Sequence, residues 1–158
     1  MMPPATETAT ADGFTVDRAR NTIVFTRELS APPSEAFAAW TQPEQVAVWW
    51  DPTGQRLTRC DIDLRVGGGF AFAAASHPDR PFTGTYREIS PPHRLVFDAM
   101  GAEGRVNLDS EGQGTLMRVE IVCSSPEHLE QFVGMGVAVG TSQTLDNLVA
   151  HLERGRAA

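Results

Sequence analysis

The chain has little of several things, and each shortage removes a class of function. Only two cysteines occur in 158 residues, Cys60 and Cys123, each inside a strand-like run. A chain long enough to bury roughly 70% of its unfolded surface needs no disulfide framework, so both are expected as reduced thiols. Positive charge is scarce: 13 Lys and Arg face 20 Asp and Glu, a net charge of −7. General nucleic-acid binding and docking on an anionic membrane both select basic clusters, so neither is expected. No apolar run reaches the length of about eighteen residues that membrane insertion by a helix requires. The opening MMPPATETATADG lacks the basic and apolar regions of a signal peptide, and a cytoplasmic location follows as the expectation. The histidines His77, His93, His128 and His151 are scattered without ligand spacing, so no metal site and no other cofactor is expected. The run Gly67–Gly68–Gly69 has no P-loop lysine and no dinucleotide fingerprint, and reads as a turn.

What is present is concentrated in residues 31–52, APPSEAFAAWTQPEQVAVWWDP, which holds all three tryptophans: Trp40, Trp49 and Trp50. Pro32 and Pro33 suit a first helical turn, where the missing N–H has no intrahelical use. Thr41 and Glu44 have the spacing of a capping box for a second short helix. Pro52 stops that helix, because the residue before a proline is pushed out of helical geometry. Two short aromatic helices between strand-like segments need a concave apolar surface to rest on.

The remaining chain supplies one. Residues 1–13, rich in Thr, Ala and Pro, read as a disordered tail; 14–154 read as one domain and 155–158 as a C-terminal tail. Phe14–Asp17 has the pattern of a short edge strand. Alternating apolar residues then predict strands over 22–29, 57–64, 70–76, 82–89, 94–98, 105–109 and 115–123. On the solvated face of the second of these, Arg59, Asp61, Asp63 and Arg65 mix the two signs and read as cross-strand ion pairs, not as a catalytic carboxylate pair. From Pro126 to about Arg154 the period becomes helical, with Phe132, Met135, Val139, Leu145, Leu148 and Leu152 on one stripe. Gly134, Gly136 and Gly140 in its first half make sense where a bend, a close approach or a ligand needs room. The expected architecture is α+β: a curved antiparallel sheet of about seven strands around a long C-terminal helix, with two short helices after the first strand.

These segments carry a resemblance. The motifs are Ala31–Pro32 before the first helix, Trp40–Thr41–Gln42–Pro43–Glu44, Asp63–Leu64–Arg65–Val66–Gly67–Gly68, Gly84–Thr85–Tyr86 and Pro91–Pro92–His93–Arg94–Leu95, followed by the closing GTSQTLDNLVAHL. Together, from Ile23 to Leu152, the chain resembles the activator of heat-shock-protein-90 ATPase C-terminal-like group of the START-related (SRPBCC, Bet v 1-like) helix-grip superfamily. The resemblance implies a helix-grip fold with a cavity between sheet and helix. It also implies three kinds of activity: co-chaperone-like interaction, binding of lipids or polyketides, and aromatase or cyclase catalysis. Two departures stand out. The family often has glycine where this chain has Asp51, and usually has tryptophan where it has Thr141. The smaller Thr141 is expected to leave space beside the helix.

The candidate ligand-binding set is Phe37, Trp40, Trp49, Phe70, Phe72, Gly84, Tyr86, Met117, Val119, Met135, Val139 and Thr141. Tyr86 and Thr141 are its polar members, and methionines adapt to irregular ligands. For each of these residues the alternative is plain core packing. If catalysis occurs, Tyr86 and Glu88 are the candidates, since strand alternation puts both on one face and burial would raise a glutamate toward general acid–base use. Cys60 and Cys123 have no visible histidine partner and read as inert thiols. The leading expectation is a non-catalytic binder of a small hydrophobic molecule, lipid-like or aromatic. An enzyme of cyclase or dehydratase type comes second and a co-chaperone-like interaction domain last, since a full activator is expected to carry a further N-terminal domain. A homodimer through a sheet edge is compatible with this pattern.

Overall fold

Prolines delimit the helices of this chain and alternation builds its strands. The computed structural model describes residues 13–157; the expected N-terminal tail lies almost wholly outside the described residues. In chain order the elements are β1 (Thr15–Asp17), β2 (Thr22–Leu29), α1 (Pro33–Thr41), α2 (Pro43–Trp49), β3 (Arg59–Ile62), β4 (Gly69–Ala73), β5 (Phe82–Ser90), β6 (Arg94–Ala99), β7 (Ala102–Glu111), β8 (Gly114–Val122), α3 (Pro126–Gly134) and α4 (Val137–Ala157). All strands belong to one open antiparallel sheet in the order β1-β2-β8-β7-β6-β5-β4-β3. The eighth strand, added to the expected seven, is β1, where the short edge strand was expected over Phe14–Asp17; it pairs with β2 through Val16↔Ile23. The two edges, β1 and β3, are only three and four residues long, which leaves little backbone for another chain to pair with.

Alternation selects the faces. In the β2–β8 ladder Phe25 sits opposite Val119 and Arg27 opposite Met117, and Ile23, Phe25, Leu29, Met117 and Val119 are all buried on the concave side. Arg27 shares that side because it reaches α4: its guanidinium donates to the Asp146 carboxylate at 2.9 Å and to the Ser142 hydroxyl at 2.8 Å. On the convex side Glu120 is buried beneath Arg118 (3.0 Å) and Arg20 (3.3 Å). Burial alone would raise the Glu120 carboxyl, but the hydrogen bonds from Arg118 and Arg20 overcome this and hold it below the usual range. A carboxyl lowered by folding contributes stability above its unfolded value, and that contribution drains away as pH falls through the folded value. Unfolding temperature should therefore drop as pH goes below about 4, and Glu120→Gln should flatten that limb in thermal scans.

The α1–α2 corner follows from its prolines. Pro33 occupies the first turn of α1, and Pro43 holds Gln42 extended (φ −90°, ψ 121°), so α1 ends and α2 begins around that one residue. No capping box forms. Thr41 is still the last residue of α1, and its hydroxyl donates back to the Phe37 carbonyl at 2.9 Å; α2 starts without a side-chain cap.

The expected single C-terminal helix is two. Ser125 caps α3 by accepting from the His128 N–H at 3.0 Å, and the helix ends where Gly136 takes φ +80°. A left-handed residue cannot continue a right-handed helix, so α4 starts afresh at Val137. Nothing lies within 4 Å of a side chain placed at Gly134 or Gly136, so no close approach explains either; the bend accounts for Gly136, and nothing in the structure explains Gly134. At its other end α4 runs on to Ala157, three residues beyond the expected stop. Leu145, Leu148 and Leu152 bury its inner face, and it packs across β2 and the α1–α2 corner.

A bulge interrupts β5. Tyr86 pairs with Phe97 and Glu88 with Val96, so Arg87 is the extra residue. Tyr86 is buried, whereas the Glu88 side chain is 44% exposed and pairs with Arg94 on the outside. Alternation does not carry from one to the other.

Candidate functional site

Between the concave face of the sheet and the two C-terminal helices lies a chamber of about 260 Å³. Its floor comes from β6 to β8: Phe97, Ala99, Ala102, Gly104, Val119 and Ile121. Helices α3 and α4 roof it with Phe132, Val137, Gly140, Thr141, Thr144 and Leu145. Trp40, Trp50, Pro52 and Phe82 close one end, and half-exposed Met100, on the β6–β7 turn, reaches it from the other. The space exists because small residues stand where alternation would place large ones. Ala99 and Ala102 leave the floor low, the Phe97 ring lies over Gly104, and Gly140 and Thr141 leave the roof high.

Among the described residues no charged side chain lines the chamber. The polar side chains in its lining carry two hydroxyls, of Thr141 and Thr144, and two indole N–H groups, of Trp40 and Trp50. The Thr144 hydroxyl donates to the Trp50 carbonyl at 2.9 Å, and Asn147 Nδ2 donates to the Asp51 carbonyl at 2.9 Å, so α4 holds the segment that carries the end wall. Trp49 is fixed in the same corner: its indole N–H donates to the Ala39 carbonyl at 3.0 Å, and its ring meets Trp40 edge-to-face at 4.9 Å. The Trp40 indole N–H is buried and has no partner among the described residues.

The structure brings only part of the expected set together. Trp40, Val119 and Thr141 line the chamber. Trp49, Phe70, Phe72 and Tyr86, with Trp40 again, surround a separate void of about 10 Å³, the size of one water. Phe37 and Met117 are solid core. Gly84 gives no room to a ligand: a side chain there would stand 2.3 Å from the Phe70 ring and 2.4 Å from the Asp98 carbonyl. Met135 and Val139 point to solvent, 66% and 50% exposed: the break at Gly136 takes Met135 out of the helical stripe, and Val139, six residues before Leu145 in α4, falls about 120° from the buried face by helical spacing. Glu88 is on the outside, where hydrogen bonds from Ser90 and Arg94 hold its carboxyl below the usual range, the opposite of a raised general acid. Asp51 does not line the chamber either; its carboxylate accepts from the Thr53 N–H (3.1 Å) and the Thr53 hydroxyl.

Several lining residues were within reach of the sequence pattern. Phe82 shares a face with Tyr86, and Ile121 shares one with Met117 and Val119, so both belong to stripes already visible. Ala99, Met100, Ala102 and Gly104 fall between the expected strands and carried no such signal.

Chemically the site is quiet. Burial, and then the nearby Cys60, push the Tyr86 hydroxyl up, so it stays neutral. Burial, followed by the charges of Asp61 and Glu44, pushes the Cys60 thiol up to about 11, and burial raises Cys123, so both remain thiols at neutral pH. Both are free cysteines. The Arg59–Asp61 and Arg65–Asp63 pairs are exposed and lie along one strand and its following loop, two residues apart, not across strands. Among the described residues no His, Cys, Asp and Glu group is arranged to hold a metal, and no helix is long and apolar enough to cross a membrane. The Tyr86 hydroxyl forms no hydrogen bond among the described residues, so Tyr86→Phe should leave stability within about 1 kcal/mol of the parent in urea titration.

With this geometry in place, comparison with known proteins is informative. The family model described as Activator of Hsp90 ATPase homolog 1-like protein matches residues 30–153. A crystal structure of a protein from Nitrosomonas europaea superimposes with a TM-score of 0.77 at 21% identity, covering 87% of this chain and 97% of that one. The solution structure of an AHSA1-like protein from Aeromonas hydrophila gives 0.70 at 25% identity, covering 87% and 95%. A crystal structure from Chromobacterium violaceum gives 0.67 at 28% identity, covering 84% and 97%. No curated protein matches the chain.

Proposed function

We propose that this chain, which belongs to the Activator of Hsp90 ATPase homolog 1-like family within the SRPBCC helix-grip superfamily, binds a small hydrophobic molecule in the chamber between its sheet and its C-terminal helices. The observation that carries the reading is an apolar chamber of about 260 Å³ with no charged lining residue and few polar groups. Sites of this composition derive affinity from removing apolar ligand surface from water, with the few polar groups fixing orientation. Catalysis of the cyclase or dehydratase type would need an acid and a base converging on the ligand. Glu88 and Tyr86 do not meet in the chamber, which favours binding without turnover. The net charge and the free thiols support a cytoplasmic setting with no nucleic-acid partner.

Thermal shift against neutral bicyclic aromatics tests the reading, with the chain purified without additives. A true ligand at a hundredfold excess over its Kd should raise Tm by about 5–10 °C. No shift with any neutral apolar compound, together with native mass spectra free of bound small molecules, would overturn it.

A further inference from the structure

We infer that Met100 is an oxidation site on the wall of the chamber, and that conversion of its thioether to the sulfoxide by a hydroperoxide weakens the hold on an apolar ligand. The inference rests on the binding reading above and adds a control to that site. Three methionines fall among the described residues, and each sits differently. Met117 is fully buried on the concave face of the sheet. Met135 is 66% exposed but does not line the chamber. Met100 is 51% exposed and lines the chamber as well. Its backbone explains the double position. Met100 (φ +55°) and Gly101 (φ +77°) form the two-residue turn between the paired residues Ala99 and Ala102, and a turn with both residues left-handed is compact. The side chain it carries stands at the end of the sheet, within reach of solvent and of the chamber. Exposure brings a peroxide to the sulfur, and lining brings the result to the ligand.

The chemistry closes without a further reagent. The thioether sulfur attacks the hydroxyl oxygen of the hydroperoxide, an S–O bond forms and the O–O bond breaks. The leaving oxygen keeps the bonding pair and takes the proton released from the attacked oxygen. The sulfide is oxidised to the sulfoxide, and the peroxide is reduced to an alcohol, or hydrogen peroxide to water. A thioether needs no deprotonation for this, whereas a thiol reacts as its thiolate. Burial raises both thiols, Cys60 and Cys123, and neither lines the chamber. Oxidation turns a flexible apolar side chain into a polar one with a strong acceptor. Among the described residues no charged side chain lines the chamber, the Thr144 hydroxyl has given its proton to the Trp50 carbonyl, and the tryptophans close the opposite end. A ligand pressed against the sulfoxide removes its hydration with little to replace it, and that cost is subtracted from the affinity. The competing arrangement turns the oxidised side chain wholly to solvent, where half of it already lies, and leaves the affinity as it was.

The test uses the full chain, naphthalene as the probe, and hydrogen peroxide that is removed by catalase before titration. Peptide mapping by mass spectrometry should find Met100 and Met135 converted and Met117 spared. Complete conversion of Met100 should accompany at least about a fivefold loss of naphthalene affinity. Methionine sulfoxide reductases with dithiothreitol should restore it. Met100→Leu, whatever affinity it starts from, should lose none of it to peroxide, while Met135→Leu should lose as much as the parent chain. Undiminished affinity once Met100 is converted, or equal losses in the parent and in Met100→Leu, overturns the inference and leaves the apolar-binding reading standing. A Met100 that resists peroxide in the folded chain as Met117 does overturns it as well. Failure of the untreated chain to bind naphthalene or any other neutral bicyclic compound overturns both.

Discussion

A Thr141→Trp variant is expected to fold and to lose ligand binding by at least about a hundredfold. Thr141 lies on the roof of the chamber, one helical turn before Leu145, with Gly140 beside it. The atom nearest to a side chain placed at Gly140 is Pro52 Cγ at 3.9 Å, so this part of α4 is not pressed against the opposite wall. An indole projecting from position 141 enters the open volume and contacts the apolar floor. Filling an existing cavity commonly adds about 0.5–2 kcal/mol, so thermal stability should rise by a few degrees while the site disappears. This is also the residue that the family resemblance implies at that position, so the substitution restores a wall that the chain has given up. Calorimetric titration with a ligand found by thermal shift checks it. Unchanged affinity in a folded variant would move the binding site out of this chamber.

Trp49→Ala carries the largest expected loss of stability. Trp49 is fully buried, meets Trp40 edge-to-face and Trp50 at 5.7 Å, and donates to the Ala39 carbonyl. Truncation removes the transfer energy of the largest side chain, leaves a cavity that the α1–α2 corner cannot close, and strands a buried carbonyl. The cost should be about 3–5 kcal/mol, out of a total near 5–15 for a domain of this kind. The denaturation midpoint should fall steeply with little change in slope, and Trp49→Phe should recover part of the loss while the carbonyl stays unpaired. Trp40→Phe should cost less than its size suggests, because its N–H has no partner to lose.

The same two tryptophans show what the sequence could and could not disclose. Prolines act locally, so Pro33, Pro43 and the two helices they begin were readable from composition alone, down to the extended Gln42 between them. Strand alternation is also local, and β2 runs over the same residues as expected. Its logic fails where one extra residue enters. The bulge at Arg87 reverses Glu88 relative to Tyr86, and nothing in the residue types marks it. The helical stripe from Phe132 to Leu152 has the same weakness: apolar spacing persists across the break, and only the positive φ of Gly136 reveals that Met135 belongs to no face shared with Leu145, whereas Val139, six residues from Leu145 in one helix, was off that face by spacing alone. The chamber was the least legible part. A void is defined by side chains that stop short, and Ala99 or Ala102 announces nothing until the residues opposite are known. Thr141 was the exception, because the expected ring was missing from an otherwise matching stretch.

The two bonds from α4 to the segment after α2 bear on how the chamber exchanges its contents. Thr144 and Asn147 clamp the carbonyls of Trp50 and Asp51, so parting that wall would unpair both carbonyls at once and disturb the tryptophan corner behind it. Among the described residues the far side has no such clamp. There Met100 and Met135 stand exposed, and Gly101 and Gly136 both hold left-handed backbone at the hairpin tip and at the helix joint. Traffic should therefore run through one side of the molecule, with residence time set by how often the joint and the hairpin tip part, not by the strength of the wall that grips the ring.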